Sequence, residues 1–151
     1  KPLAMGVLAL AATWAVQRLA RPDADIRRLL QILALVPAIL IAGVVMEFMA
    51  VPVEARWDRL FGNGFMQCLG LITVIGLAPL ALMLWGLRQG APANPKLAGA
   101  MAGVAAAGIA ALFYAAHCPN DSPFYVAAWY SLATLILTVT GMVIGSRLLR
   151  W

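Results

Sequence analysis

The chain has 151 residues, 64% of them hydrophobic and 11% charged, with a net charge of +5. A soluble domain is about 45–50% apolar and about a quarter charged, so a soluble catalytic domain is excluded; one water-soluble core of this size cannot enclose so many greasy side chains. Nor does the basic excess mark a nucleic-acid binder, because Lys and Arg stand at the ends of apolar runs, where membrane topology places them.

Five apolar runs are expected to span a bilayer as helices. The first, Pro2–Val16, is short for a hydrocarbon layer that takes about 20 residues to cross. It extends to residues 2–18 if Gln17 and Arg18 snorkel to the headgroups. A basic loop, Ala20–Arg28, leads into the second run, Leu29–Ala50, which holds Pro37 and, three residues from its end, Glu47. In the loop Val51–Gly64, the stretch Trp57-Asp-Arg-Leu-Phe61 is expected to lie at the interface as a short amphipathic turn. The third run, Phe65–Leu87, contains Pro79 and ends in the turn-forming Arg88–Lys96, with Gly90, Pro92, Asn94 and Pro95. The fourth, Leu97–Ala116, is followed by the loop His117–Pro123 and the fifth, Phe124–Gly145.

No run alternates apolar with polar residues, which excludes barrel strands. Helices are the remaining way to satisfy backbone groups in lipid. The fold class is therefore all-α, a polytopic transmembrane helical bundle of five spans in a single domain, 1–151, without an internal repeat. Gly99, Gly103 and Gly108, and again Gly141 and Gly145, have the spacing that lets helices approach closely; intramolecular packing is the expected use.

Orientation follows from the basic residues. One set of loops carries Arg18, Arg21, Arg27, Arg28, Arg88, Lys96, Arg147 and Arg150; the other carries Lys1, Arg56 and Arg59, with Glu54, Asp58 and Asp121. The richer set is assigned to the cytoplasm, which puts the C-terminus inside and Lys1 outside. Trp57, Phe61, Phe65, Tyr114, Phe124, Tyr125, Trp129 and Tyr130 then fall near the outer interface, and Trp85 and Trp151 near the inner one. A start on the outside, with Lys first and no signal peptide, leads to the expectation that a preceding span and an N-terminal cytoplasmic segment are missing.

Motifs for enzyme chemistry are lacking: there is no P-loop, nucleophile elbow, HExxH or dinucleotide fingerprint, and an enzyme is not expected. Intramembrane charge is nearly absent, against an ion pump or proton relay. Glu47 is expected to reach the headgroup layer, with an outer-face ligand or counter-ion as the alternative. Cys68 and Cys118 are the two cysteines. Cys68 lies about one turn, roughly 5 Å, below the outer surface, and Cys118 emerges just past the outer end of the fourth span. Both thiols thus belong to one outer layer. His117, the sole histidine, adjoins Cys118; Met66 is near Cys68, and Met46 and Met49 are near the outer end of the second span. Thiolate, thioether and imidazole make a soft-metal set. Two thiolates suit Cu(I), whereas Zn(II) or Cd(II) would need two more ligands from His117, Asp121 or Glu47. A disulfide in an oxidising compartment and inert interfacial cysteines are the other readings.

The stretch His117-Cys-Pro-Asn-Asp-Ser-Pro-Phe-Tyr-Val-Ala-Ala-Trp-Tyr130, the closing Gly145-Ser-Arg-Leu-Leu-Arg-Trp151, Phe65-Met-Gln-Cys-Leu69 and Arg88-Gln-Gly-Ala-Pro92 resemble the NrsF family of bacterial anti-sigma factors along the whole chain. That resemblance implies six membrane helices, of which these are the second to sixth, in the bacterial inner membrane. It implies an N-terminal cytoplasmic segment that helps hold an extracytoplasmic-function sigma factor inactive, with no direct contact to nucleic acid. It also implies that Cys68 and Cys118 answer to heavy metals, copper among them, as a signal and not an obligatory cofactor. The metal-site residues expected are thus Cys68 and Cys118, with His117, Met66 and Glu47 as further candidates. A soft ion such as Cu(I), arriving from the periplasm, would join the two thiolates and release the sigma factor. A thiol-redox sensor of the same sigma factor is one alternative, and a small membrane thiol oxidoreductase or transporter is another. Pro37 and Pro79 are the hints of the broken helices that a transporter uses.

Overall fold

The computed structural model describes residues 2–21, 26–62 and 64–149. Lys1, Arg150 and Trp151, and the side chains of Arg27 and Arg28, lie outside the described residues. No strand occurs among the described residues, and each of the five apolar runs is helical: α1 Pro2–Leu19, α2 Ile26–Ala50, α4 Phe65–Arg88, α5 Pro95–Ala115, and a last helix from Pro123 to Leu148. That last helix comprises α6 (Pro123–Tyr125), a widened π-turn (Val126–Tyr130) and α7 (Ser131–Leu148). Four stretches are long and apolar enough to cross a membrane, namely Leu33–Ala50, Val53–Arg88, Pro95–Ala115 and Pro123–Leu148; Met5–Leu19 is a shorter apolar helix. Both α2 and α4 continue unbroken through Pro37 and Pro79.

The loop expected to form a short amphipathic turn is a helix of nine residues, α3 (Val53–Phe61), none of them buried. It folds back to close the end of α2. Arg56 donates from Nε to the Val51 carbonyl (3.1 Å) and from Nη2 to the Phe48 carbonyl (2.9 Å), supplying donors to backbone oxygens at and beyond that terminus. Its guanidinium lies 3.9 Å from the centre of the Phe48 ring. Gly62 and Gly64 join α3 to α4 at φ +51° and +83°, a region that costs glycine little and other residues much.

At the centre is α5, packed against α7, α1 and α4. Small residues make this position available. A methyl group at Gly103 would collide with the Leu137 carbonyl and the Thr138 Cα, one at Gly99 with the Gly141 carbonyl, and one at Gly108 with the backbone of Ala9. Thus Gly99, Gly103, Gly141 and Gly145 form an intramolecular seam between α5 and α7, while Gly108 serves the α1 side. Asn94 starts α5 by accepting the Leu97 N–H at 3.1 Å, with Pro95 preset in the first turn. Four threonine hydroxyls within the helices are satisfied locally: Thr73, Thr134, Thr138 and Thr140 each donate to the carbonyl four residues earlier.

By contrast, α2 is peripheral. It touches α1 and α6 and turns Leu35, Ile39, Ile41, Val45, Met46, Phe48 and Met49 outward. The helices alternate in direction, so Arg18, Arg88, Lys96 and Arg147 gather at one end; Gly90 abuts Ala20 and Gly145 abuts Pro95 there. The opposite end carries both cysteines.

Candidate functional site: a buried thiol pair ringed by tyrosines

The first turn of α4 carries Cys68, and the loop after α5 carries Cys118, whose N–H bonds back to the Tyr114 carbonyl at 2.9 Å. Both side chains are buried in one cluster with Ile72, Ala110, Ala111, Tyr114, Tyr125 and Tyr130. Neither is in a disulfide. Three phenols, Tyr114, Tyr125 and Tyr130, share this buried cluster with the two sulfurs. The Tyr114 and Tyr130 ring centres are 6.2 Å apart.

The π-turn accounts for part of this convergence. In a regular α-helix, Tyr125 would share its face with Trp129, four residues on. The extra residue in the widened turn instead brings Tyr130 inward with Tyr125. Trp129 turns toward α3, where its Nε1 donates to the Leu60 carbonyl at 2.8 Å and its ring packs 4.6 Å from that of Phe65. Single π-turns inside α-helices often mark functional sites. Tyr125 is fully buried beneath the α3–α4 turn; a Cβ at Gly62 would stand 3.0 Å from its ring and 3.0 Å from the Asn120 amide. The hydroxyls of Tyr125 and Tyr130 are sealed from solvent, and neither makes a hydrogen bond of standard geometry. Buried polar atoms are nearly always paired. These two instead share the buried cluster with Cys68 and Cys118.

The other candidate ligands are placed elsewhere. His117 is exposed, and Met66 is 69% exposed two residues before Cys68, on a different face of α4. Glu47 is buried within the protein. Its carboxylate accepts from the Ser122 hydroxyl (2.8 and 2.9 Å), from the Phe124 N–H (2.9 Å) and from Arg59 Nη1 (3.1 Å). Phe124 is in the first turn of the last helix, where N–H groups lack intrahelical partners and negative charge is favoured. Glu47 therefore fastens α2 to the loop that bears Cys118. Among the described residues, no group of three or more His, Cys, Asp or Glu side chains is arranged to hold a metal ion. The four-ligand set suited to Zn(II) or Cd(II) is not assembled in this conformation, whereas the two-thiol set is gathered in one cluster.

Sequence reasoning missed the tyrosines as a group. It placed Tyr114, Tyr125 and Tyr130 near the outer interface without bringing them together as the buried group they form. A signal was present in Tyr114, one helical turn before Cys118; the pairing of Tyr125 with Tyr130 depends on a turn that regular periodicity does not predict.

Fold and site together define a helical bundle with apolar outer faces and a buried thiol pair at one end. The family model described as "Negative regulator of sigma F" matches residues 1–151, and the chain belongs to that NrsF family. It is 40% identical over 152 residues to the anti-sigma-F factor NrsF of Caulobacter vibrioides, covering 100% of this chain and 71% of that protein. It is 32% identical over 146 residues to a probable anti-sigma-F factor NrsF of Azospira oryzae, covering 95% of this chain and 68% of the relative. No solved structure matches.

Proposed function

We propose that this chain is the bilayer-embedded part of an anti-sigma factor that restrains an extracytoplasmic-function sigma factor at the cytoplasmic face of the inner membrane. On this reading, the sigma factor is released when a soft metal ion engages Cys68 and Cys118 from the periplasm. Family membership supports the regulatory role. Outward-facing apolar side chains on α1, α2, α4 and α7, costly to leave in water, support a lipid setting. The gathering of basic residues at the end opposite the cysteines supports cytoplasmic placement of that end. One observation carries the sensing role: two thiols from distant parts of the chain share a buried pocket with hydroxyls that lack aligned partners.

When bound, the ion supplies a link between two thiolates. The rest is the work of the chain. Closure between Cys68 and Cys118 draws the start of α4 toward the loop 117–122. Glu47 ties that loop to α2 through Ser122 and Phe124. Because α2 is lightly packed and leads at its other end to the basic Arg18–Arg28 segment, it is the element best able to carry the displacement. To move the equilibrium from 1:99 to 99:1, the ion must prefer the released state by about 5.5 kcal/mol.

Cys68→Ser/Cys118→Ser in the full-length protein is expected to keep sigma capture and lose release. A reporter of the sigma factor, with and without copper, reads both; continued induction by copper in this variant would refute the proposal. A redox version, in which a two-electron oxidant joins the thiols as a disulfide, draws on the same burial of two reduced cysteines in one cluster. Thiol alkylation after chelation separates the two: metal leaves both thiols alkylatable, a disulfide leaves neither.

A further inference from the structure

We infer that Tyr114, Tyr125 and Tyr130 are positioning residues that make the thiol pair selective for ions whose bis-thiolate complex is anionic, that is, for soft monovalent ions over soft divalent ones. This rests on the thiol pair being the signal site and adds a charge rule to it.

Two thiols binding one ion lose two S–H bonds, release two protons and form two sulfur–metal bonds. A monovalent ion leaves the site with a net charge of −1, whereas a divalent ion leaves it neutral. Burying an uncompensated charge is expensive. Compensation by a cation is not at hand, since Glu47 is the one buried charged side chain among the described residues. Phenol O–H groups are present: Tyr114, Tyr125 and Tyr130 are buried in one cluster with Cys68 and Cys118, and the Tyr125 and Tyr130 hydroxyls have no hydrogen-bond partner. A neutral thiol is a weak acceptor, which explains why the Tyr125 and Tyr130 hydroxyls are buried without an aligned bond. A thiolate that retains negative charge is a stronger acceptor, and hydrogen bonds to charged groups are roughly twice as strong as neutral ones. The hydroxyls are therefore under-used before the ion arrives and are used most fully by an anionic complex. A neutral complex draws less from them.

The test is a titration of the full chain in detergent micelles with Ag(I) and, separately, with Hg(II), each against a competing thiol chelator. The wild type is compared with Tyr125→Phe/Tyr130→Phe. Loss of two charge-assisted bonds is expected to weaken Ag(I) binding at least about tenfold, with Hg(II) binding weakened by less than about threefold. An equal loss for both ions, or no loss for Ag(I), overturns the charge rule and leaves the signal site standing. If neither ion binds the wild type more tightly than it binds Cys68→Ser/Cys118→Ser, the signal-site reading itself fails. The ion-free variant is expected to unfold no earlier than the wild type, because it removes hydroxyls with no aligned bond to lose. An earlier unfolding midpoint would mean that those hydroxyls were already satisfied, and would overturn the inference.

Discussion

The seam between α5 and α7 and the attachment of α2 hold helices together in opposite ways. Along the seam, backbone meets backbone: Gly99 faces Gly141 and Gly145, and Gly103 faces Leu137 and Thr138. No side chain intervenes and nothing there can rotate to accommodate a change. Besides the packing of Leu33, Val36 and Leu40 on the bundle, the polar attachment of α2 is made at its end, where Glu47 holds Ser122, Phe124 and Arg59, while most of its apolar surface faces outward. Interfaces of close-packed backbone transmit force without yielding. Contact through a few polar groups can be rearranged by altering one loop. The cysteine-bearing loop lies at the junction of the closely packed seam and the polar attachment of α2.

The largest effect is expected where the rigid seam is forced open. Gly103→Leu must push α7 away from α5 because its side chain would enter space filled by the Leu137 carbonyl and Thr138. Overpacking of this kind costs about 1–3 kcal/mol, occasionally more; with backbone as the obstacle, the upper end or loss of the folded bundle is expected. Thermal unfolding in detergent, followed by circular dichroism, measures it. A Gly103→Leu protein with a wild-type midpoint would show that the seam is not close-packed. Next is Glu47→Ala, which strands the Phe124 N–H and leaves Arg59 without its acceptor. Leaving a buried donor unsatisfied costs about 1–3 kcal/mol. The same variant is expected to uncouple the two ends of the molecule, binding metal normally while releasing the sigma factor poorly. Metal affinity and reporter induction, measured on one variant, sharpen the comparison; a parallel fall in both would assign Glu47 to the thiol site itself.

The helices were legible because each apolar run is long and bounded by charge or turn residues, such as Arg88 to Pro95 between α4 and α5. Sharing of one end by Cys68 and Cys118 was legible too, since it needs only the parity of helix crossings. The environment of Glu47 was not: hydropathy places the residue three positions from a helix end but does not show that Ser122 and Phe124, some 75 positions away, fold over it. The tyrosine ring was hidden for a different reason. Periodicity assumes a regular helix, and one widened turn reassigns Trp129 and Tyr130 to opposite duties.

A smaller effect is expected at Trp129→Phe. It keeps most of the ring surface against Phe65 but removes the Nε1 bond to the Leu60 carbonyl. A typical hydrogen bond contributes about 1 kcal/mol net. The loss should fall on the docking of α3, so proteolysis within Val53–Phe61 is expected to quicken while the midpoint of the bundle moves little. Unchanged cleavage would mean that α3 is held by Arg56 and Arg59 alone.

The smallest effect is expected at Met49→Ala, and the reason separates the two kinds of attachment. Met49 is 83% exposed and two residues beyond Glu47 on α2. Were the face of α2 that carries Met49 packed against another element, removing a large side chain so close to its anchor would cost as much as a partly buried core truncation. Held by the Glu47 carboxylate, the helix should not register the loss, and the change in stability should stay within the roughly 0.5 kcal/mol typical of surface positions. Comparing Met49→Ala with Glu47→Ala by the same unfolding measurement therefore weighs side-chain contact against the polar handle on one helix end. Equal destabilisation would place Met49 in a packed interface and transfer the coupling role from a single carboxylate to the whole end of α2.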